Sequence, residues 1–265
     1  MNTSIAILFF GILGSIFGSF ASLLIYRIPK GISVVSPRSF CINCNQELRV
    51  THLIPIFSFV LLRGKCFWCK KTFSLSYILY EIILSSSFIF LYLLVGVRIE
   101  LISLLILAFL SVPLFVIDVH HLRLPNMLTY SGILLGIGLS LSQSISLHNF
   151  ESFKNCLIYG GLSFLFYYII NLISKGGMGL GDAKLAMMIG SLLYSYPASI
   201  LVLANFLGFL LGAIYGIFLI LKKRASRKTG IPFGPFLILG VWCSLSYCAL
   251  PPFGVGLALP VIFFR

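Results

Sequence analysis

The stretch LISLLILAFLSVPLFVIDV, from Leu101 to Val119, decides how the rest of the chain is read. An uncharged apolar run ends there in a carboxylate, Asp118. Crossing the hydrocarbon core of a bilayer takes about 20 mostly apolar residues. An ionisable side chain in such a run costs on the order of 2.5–3.5 kcal/mol at mid-membrane and less near the interface, and it is a functional candidate by default. Seven further stretches share the apolar character: Ile5–Ile25, Tyr77–Val97, Met127–Leu147, Phe153–Ile173, Ala183–Tyr194, Pro197–Leu221 and Gly234–Leu250. The stretch Ala183–Tyr194 is short, and the tail Val255–Phe264 either extends the last span or lies at the interface. Of the 265 residues, 59% are hydrophobic and 9% charged, where about 25% charged is usual for soluble domains. This excludes a disordered chain, a collagen and almost any soluble globule. The expectation is an all-α polytopic membrane protein of about eight transmembrane helices. The first span lacks the cleavage pattern of a secretory signal and is read as retained. No internal repeat is evident.

The 19 Lys and Arg outnumber six Asp and Glu, giving a net charge of +13. Such an excess suits nucleic acid or an anionic surface. In a membrane chain it first marks the loops that stay in the cytosol. Arg27, Lys30, Arg38, Arg49, Arg63, Lys65, Lys70 and Lys71 lie between the first two spans, and Lys222, Lys223, Arg224, Arg227 and Lys228 between the last two. An N-terminus outside places both loops in the cytosol, leaving only Arg98, Lys154 and Arg265 on the outer side. The expected partner is then the lipid bilayer and not nucleic acid.

The one long soluble stretch, residues 27–76, holds Cys41-Ile-Asn-Cys44 and Cys66-Phe-Trp-Cys69, separated by 21 residues. Each CxxC offers two sulfurs from one turn, so Cys41, Cys44, Cys66 and Cys69 read as a tetrahedral structural Zn2+ site. About 50 residues bury little core unaided, and a metal cross-link supplies the missing stability. Disulfides or free thiols are the alternatives, and a reducing cytosol disfavours the disulfides. Cys156, Cys243 and Cys248 fall within spans and read as packing residues.

Asp118 has a single fellow aspartate, Asp182, at the end of Gly176-Gly-Met-Gly-Leu-Gly-Asp182. Taken alone, Asp118 could be an interfacial residue paired with Arg123, and Asp182 a helix N-cap behind a flexible loop. In an eight-span topology both lie on the cytosolic face at the same depth. Two carboxylates that meet there cannot both ionise freely, so one keeps a proton while the other is charged. That is the state of an aspartic protease: the charged member activates water and the protonated one donates to the peptide carbonyl. His120 and His121 read as interfacial polar residues.

The pattern resembles the type 4 prepilin peptidases, bacterial membrane aspartic proteases. The resemblance runs through Gly18-Ser-Phe-Ala-Ser-Leu-Leu-Ile-Tyr-Arg27-Ile-Pro29, the knuckles Ser36-Pro-Arg-Ser-Phe-Cys41 and Arg63-Gly-Lys-Cys66, Tyr77 with Glu81, Asp118 with Leu124-Pro-Asn126, Gly176 to Gly190, and Ile231-Pro-Phe-Gly-Pro-Phe236. It departs at Ser22, where the family often has Asn, and at Ile42, where it often has Pro.

The resemblance implies a multi-pass protein of the bacterial inner membrane, with its active site facing the cytoplasm. It implies cleavage of the basic leader of prepilins and pseudopilins by Asp118 and Asp182, then N-methylation of the new terminus with S-adenosylmethionine. It divides the chain into a first transmembrane helix (1–26), a cytoplasmic zinc loop (27–76) and a transmembrane aspartic peptidase core (77–265). The sequence assigns no residue to the methyl donor; Glu47 and Glu81 are acidic groups at the right end, equally accounted for as solvated or span-capping. The alternatives are a membrane peptidase of the GxGD type without methyl transfer, or a proton-coupled transporter.

Overall fold

The computed structural model describes residues 3–174, 178–222 and 231–248. The expectations for Lys175, Gly176, Gly177, the basic loop past Lys222 and the tail Val255–Phe264 lie outside the described residues. Nine α-helices are described: α1 (Thr3–Arg27), α2 (Phe57–Leu61), α3 (Ser76–Val95), α4 (Ile99–His121), α5 (Asn126–Ser146), α6 (Glu151–Ile173), α7 (Leu180–Leu192), α8 (Ala198–Leu221) and α9 (Gly234–Cys248). A 3-10 turn spans Val50–Leu53, and β-structure among the described residues is confined to two isolated bridges. Six helices, α1, α3, α4, α5, α6 and α8, are long and apolar enough to cross a membrane. The other two expected spans form shorter helices: α7 has 13 residues and α9 has 15 as described. At 1.5 Å per residue these reach about 20 Å, short of the roughly 30 Å hydrocarbon core. The chain is an all-helical polytopic membrane protein.

Two compact units divide at Val97 and Arg98. In the first, α1 and α3 pack antiparallel. Gly14 and Gly18 form a GxxxG step, and a Cβ added to either would collide with the backbone of α3 at Leu84 or Glu81. Small residues at this spacing let helix backbones approach within a membrane. Phe10 stacks on Tyr92 with ring centres 4.9 Å apart, and the Ser85 hydroxyl donates to the Gly11 carbonyl at 2.9 Å. Thus α3 belongs with α1 and the cysteine loop, although the sequence division opens the core at residue 77.

In the second unit α7 is the central element, packed against α4, α5, α6 and α9. Nine of its residues are buried, Asp182 among them. Gly190 is where α6 comes closest: an added Cβ would lie 2.5 Å from the Tyr159 carbonyl oxygen. Helix α8 packs on α9. Gly190→Ala should destabilise the protein by about 1–3 kcal/mol, the usual range for overpacking. Gly138→Ala, whose Cβ would meet nothing within 4 Å, is the control. Thermal midpoints in detergent check this: a drop for the first variant only is expected.

Candidate active site and metal centre

At one end of the second unit three segments converge. Asp118 lies in the last turn of α4 and is 4% exposed. Its Oδ2 accepts the backbone N–H of Gly234 at 3.0 Å. Gly234 is the first residue of α9, so the carboxylate faces a helix N-terminus, where unsatisfied N–H groups and the helix dipole favour negative charge. The residue has to be glycine for this contact, since an added Cβ would sit 2.8 Å from the same oxygen. Asp118 therefore takes the Gly234 amide as its partner and not Arg123.

Asp182 is 7% exposed and sits at the third position of α7, behind the N-cap Gly179. Its Oδ2 accepts the Gly179 N–H at 3.2 Å, while its own N–H donates to the Gly179 carbonyl at 3.1 Å. This is the reciprocal N-terminal arrangement that closes a first turn. The sequence suggested an N-cap at Asp182; the helix begins earlier, at Leu180. Asp118 and Asp182 are near enough for their charges to interact. Leu124 seals the junction, in contact range of Cβ positions at both Gly181 and Gly234. Lys184 Nζ donates to Asn126 Oδ1 at 3.0 Å and lies over the Tyr130 ring, fastening the start of α5 to α7. His120 and His121 are exposed, with His120 Nδ1 2.8 Å from its own helix carbonyl at Val116.

Sequence reasoning missed two participants. Tyr167 of α6 is fully buried, interacts electrostatically with Asp182, and packs against Phe233 with ring centres 6.0 Å apart. Its hydroxyl has no hydrogen-bond partner among the described residues. The Gly234 amide was hidden because no side chain marks a backbone donor. For Tyr167 the only available signal was a tyrosine within the aromatic run of an apolar span.

The first unit brings all four expected cysteines together. Their sulfurs lie within 4.8 Å of one another, with Cys41–Cys69 and Cys44–Cys66 at 3.9 Å. A tetrahedral ion with Zn–S bonds of about 2.3 Å implies sulfur separations of roughly 3.8 Å, so the set fits a single metal. The two knuckles repeat each other at an offset of 25 residues. Cys41 N–H donates to Gln46 O and Cys66 N–H to Lys71 O, both at 2.9 Å; Asn45 and Lys70 both have φ of +55°; and the bridges Phe40–Glu47 and Lys65–Thr72 correspond. Burial pushes the Cys66 thiol up, but the Cys69 and Trp68 amides and the neighbouring sulfurs outweigh it and leave it at about 7. At Cys44 the Gln46 amide pulls down, yet burial and the other three sulfurs raise it to about 11. Four sulfurs ionise together only around a cation.

Beside the knuckles lies a cavity of about 330 Å³ bounded by the loop and the adjoining ends of α1 and α3. Arg27, buried at the end of α1, donates to the carbonyls of Ser33, Val34, Pro37 and Arg38 and so anchors the loop. Of the two acidic candidates, Glu47 is exposed while Glu81 is 8% exposed and lines the cavity.

Comparison with known proteins defines the class. Residues 12–95 match the bacterial peptidase A24 N-terminal domain, and residues 101–217 match the type IV leader peptidase family. A Bacillus subtilis (strain 168) protein named prepilin leader peptidase/N-methyltransferase is 32% identical over 229 residues, covering 86% of this chain and 89% of that protein. Proteins of the same name from Vibrio cholerae and Pseudomonas aeruginosa are 31% and 29% identical, over 88% and 89% of this chain and 93% and 88% of their own lengths. No solved structure matches. The chain belongs to the prepilin leader peptidase/N-methyltransferase family, as the motifs from Gly18 to Phe236 implied.

The cysteine quartet predicts that the purified protein holds one metal ion per chain and that Cys69→Ser loses it. Metal analysis after exhaustive dialysis reads the stoichiometry; full retention by the variant would show that the ion sits elsewhere.

Proposed function

We propose that this protein cleaves the basic leader of type 4 prepilins and pseudopilins with Asp118 and Asp182, and then N-methylates the new terminal residue. What supports the peptidase half most is the convergence of α4, α7 and the start of α9, which gathers two buried carboxylates against backbone donors. In each carboxylate Oδ2 accepts one amide. The second oxygen of each is left for water and substrate. One carboxyl keeps its proton and the other is charged, as repulsion between close carboxylates requires. The charged member takes a proton from water as the oxygen attacks the peptide carbonyl. The protonated member donates to the carbonyl oxygen, and the exchange reverses as the amine leaves. Burial excludes bulk water and strengthens each of these contacts.

In this reading the bundle has eight membrane-embedded helices, α7 and α9 being the short ones. A short helix ends inside the membrane depth and so delivers its N-terminal donors to the carboxylates. The N-terminus lies outside and the active site faces the cytoplasm of a bacterial inner membrane, as the bias of Lys and Arg suggests. The quartet Cys41, Cys44, Cys66 and Cys69 holds structural zinc, which gives a loop with little core its rigidity. The division of labour follows the two compact units: α1, the zinc loop and α3 for methyl transfer, and the helices from α4 onward for proteolysis. S-adenosylmethionine supplies an electrophilic methyl group on a sulfonium; the chain's own part is to hold the amine and keep water away.

The test is a synthetic prepilin with the purified enzyme, read by product mass. The wild type should yield the cleaved chain and then a further methyl. Asp118→Asn and Asp182→Asn should each abolish cleavage while the protein remains inserted and holds its metal. Zinc chelation should diminish methylation more than cleavage. Near-normal cleavage by either aspartate variant would overturn the reading.

A further inference from the structure

The cavity beside the knuckles is built from residues of the first unit alone, and the proteolytic chemistry has no use for it. Its volume of about 330 Å³ falls at the lower end of small-molecule sites, about 300–1,000 Å³. Phe40, Phe59, Phe73 and Tyr77 contribute aromatic walls. Among the described residues Glu81 is the one carboxylate lining it. Its Oε2 accepts the Ile56 N–H at 2.7 Å, and the Ser19 hydroxyl also bonds to it. A carboxylate has about four acceptor positions, so these two leave capacity unused. No cationic side chain among the described residues pairs with Glu81; of the two that line the cavity, Arg27 spends its guanidinium on four loop carbonyls and Lys65 makes no ion pair with it. His52 lines the same cavity, and its Nδ1 is buried with no hydrogen-bond partner among the described residues. Its ring is held by stacking on Phe67 at 5.3 Å and by an edge contact with Trp68 at 5.1 Å, next to the ligand Cys69.

A buried carboxylate with acceptor capacity to spare and a set of aromatic faces form a site for a flat organic molecule that carries positive charge; Arg27 and Lys65 in the same lining would suit a carboxylate on that molecule. Aromatic faces attract organic cations, and a purine stacks on the same faces. We propose that this cavity binds the methyl donor, a sulfonium-bearing nucleoside, with Glu81 facing its positive charge and the aromatic walls taking its flat base. The assignment rests on the bifunctional reading above and deepens it. A bare chain-end amine would meet Glu81 but leave the aromatic walls without a flat partner. The placement also gives the zinc knuckles a specific role, since they fix the loop that closes this cavity over α1 and α3.

Binding is measured by calorimetry on the full-length protein in detergent, with S-adenosylmethionine and with its uncharged thioether product S-adenosylhomocysteine. Glu81→Gln should weaken S-adenosylmethionine by roughly tenfold or more, the scale of a lost contact to a charged group. It should weaken the thioether less, a difference that general collapse of the loop would not produce. Leu53→Trp, which fills the cavity without touching Glu81 chemically, should abolish binding of both. Metal content checks that the loop is intact in each variant. Unchanged affinities in both variants would overturn the proposal, as would an equal loss of both ligands in Glu81→Gln. A wild type that methylates prepilin while the variants bind the donor normally sinks the cavity assignment alone. A wild type that neither binds the donor nor methylates sinks the bifunctional reading with it.

Discussion

A carboxylate placed at the edge of a hydrocarbon environment must find donors, and in this protein the donors are helix beginnings. Asp118 meets the first amide of α9, and Asp182 meets the N-cap amide of α7. Several otherwise separate features follow from that need. Gly234 leaves room for the Asp118 oxygen, Gly179 turns the chain into α7, and Leu124 fills the space between the two junctions. Helix α7 is short, and nine of its residues are buried, Asp182 among them. Under the proposed function the same arrangement suits catalysis, since backbone donors hold each carboxylate without a countercharge that would lock it ionised.

The first unit meets the opposite difficulty. Its loop has little apolar core, and among the described residues its order comes from cross-links: sulfurs gathered for a metal, Arg27 tied to four carbonyls, and Glu81 reaching back to Ile56. The two knuckles use one backbone pattern twice, with a left-handed residue after each second cysteine. A preformed turn of this kind presents two sulfurs at fixed spacing, so two copies complete a tetrahedron with little further ordering. The cavity at the foot of α1 and α3 is a consequence of that scaffold.

Much of this was legible from residue types and spacing. The helices at residues 3–27, 76–95, 99–121, 126–146 and 151–173 fall within a few residues of the apolar stretches, because a lipid environment leaves helix as the way to satisfy the backbone. The four cysteines declared themselves by repeated CxxC. The ends of α7 were harder: Leu180 and Gly181 look like loop beside so many glycines, yet the Asp182–Gly179 exchange draws them into the first turn. The Gly234 amide and the Tyr167 hydroxyl, unpaired among the described residues, could not be foreseen, since both depend on contacts between segments far apart in the chain. The CxxC repeat shows in the residue string, but the backbone pattern shared around the two knuckles does not, because hydrogen bonds and φ angles carry it. Glu81 and Glu47 were indistinguishable as acidic residues; burial against α1 separates them.

Whether the two aspartate positions face each other in the membrane-embedded protein decides the catalytic reading. Cysteines at Asp118 and Asp182, treated in membranes with the shortest bifunctional thiol reagent and mapped by mass spectrometry, measure this directly. A cysteine pair at Asn126 and Lys184, whose side chains are 3.0 Å apart, reports that the reagent reaches this end of the bundle. A dominant 118–182 link is predicted. Cross-linking of the 126–184 pair with none between 118 and 182 would contradict a shared catalytic water.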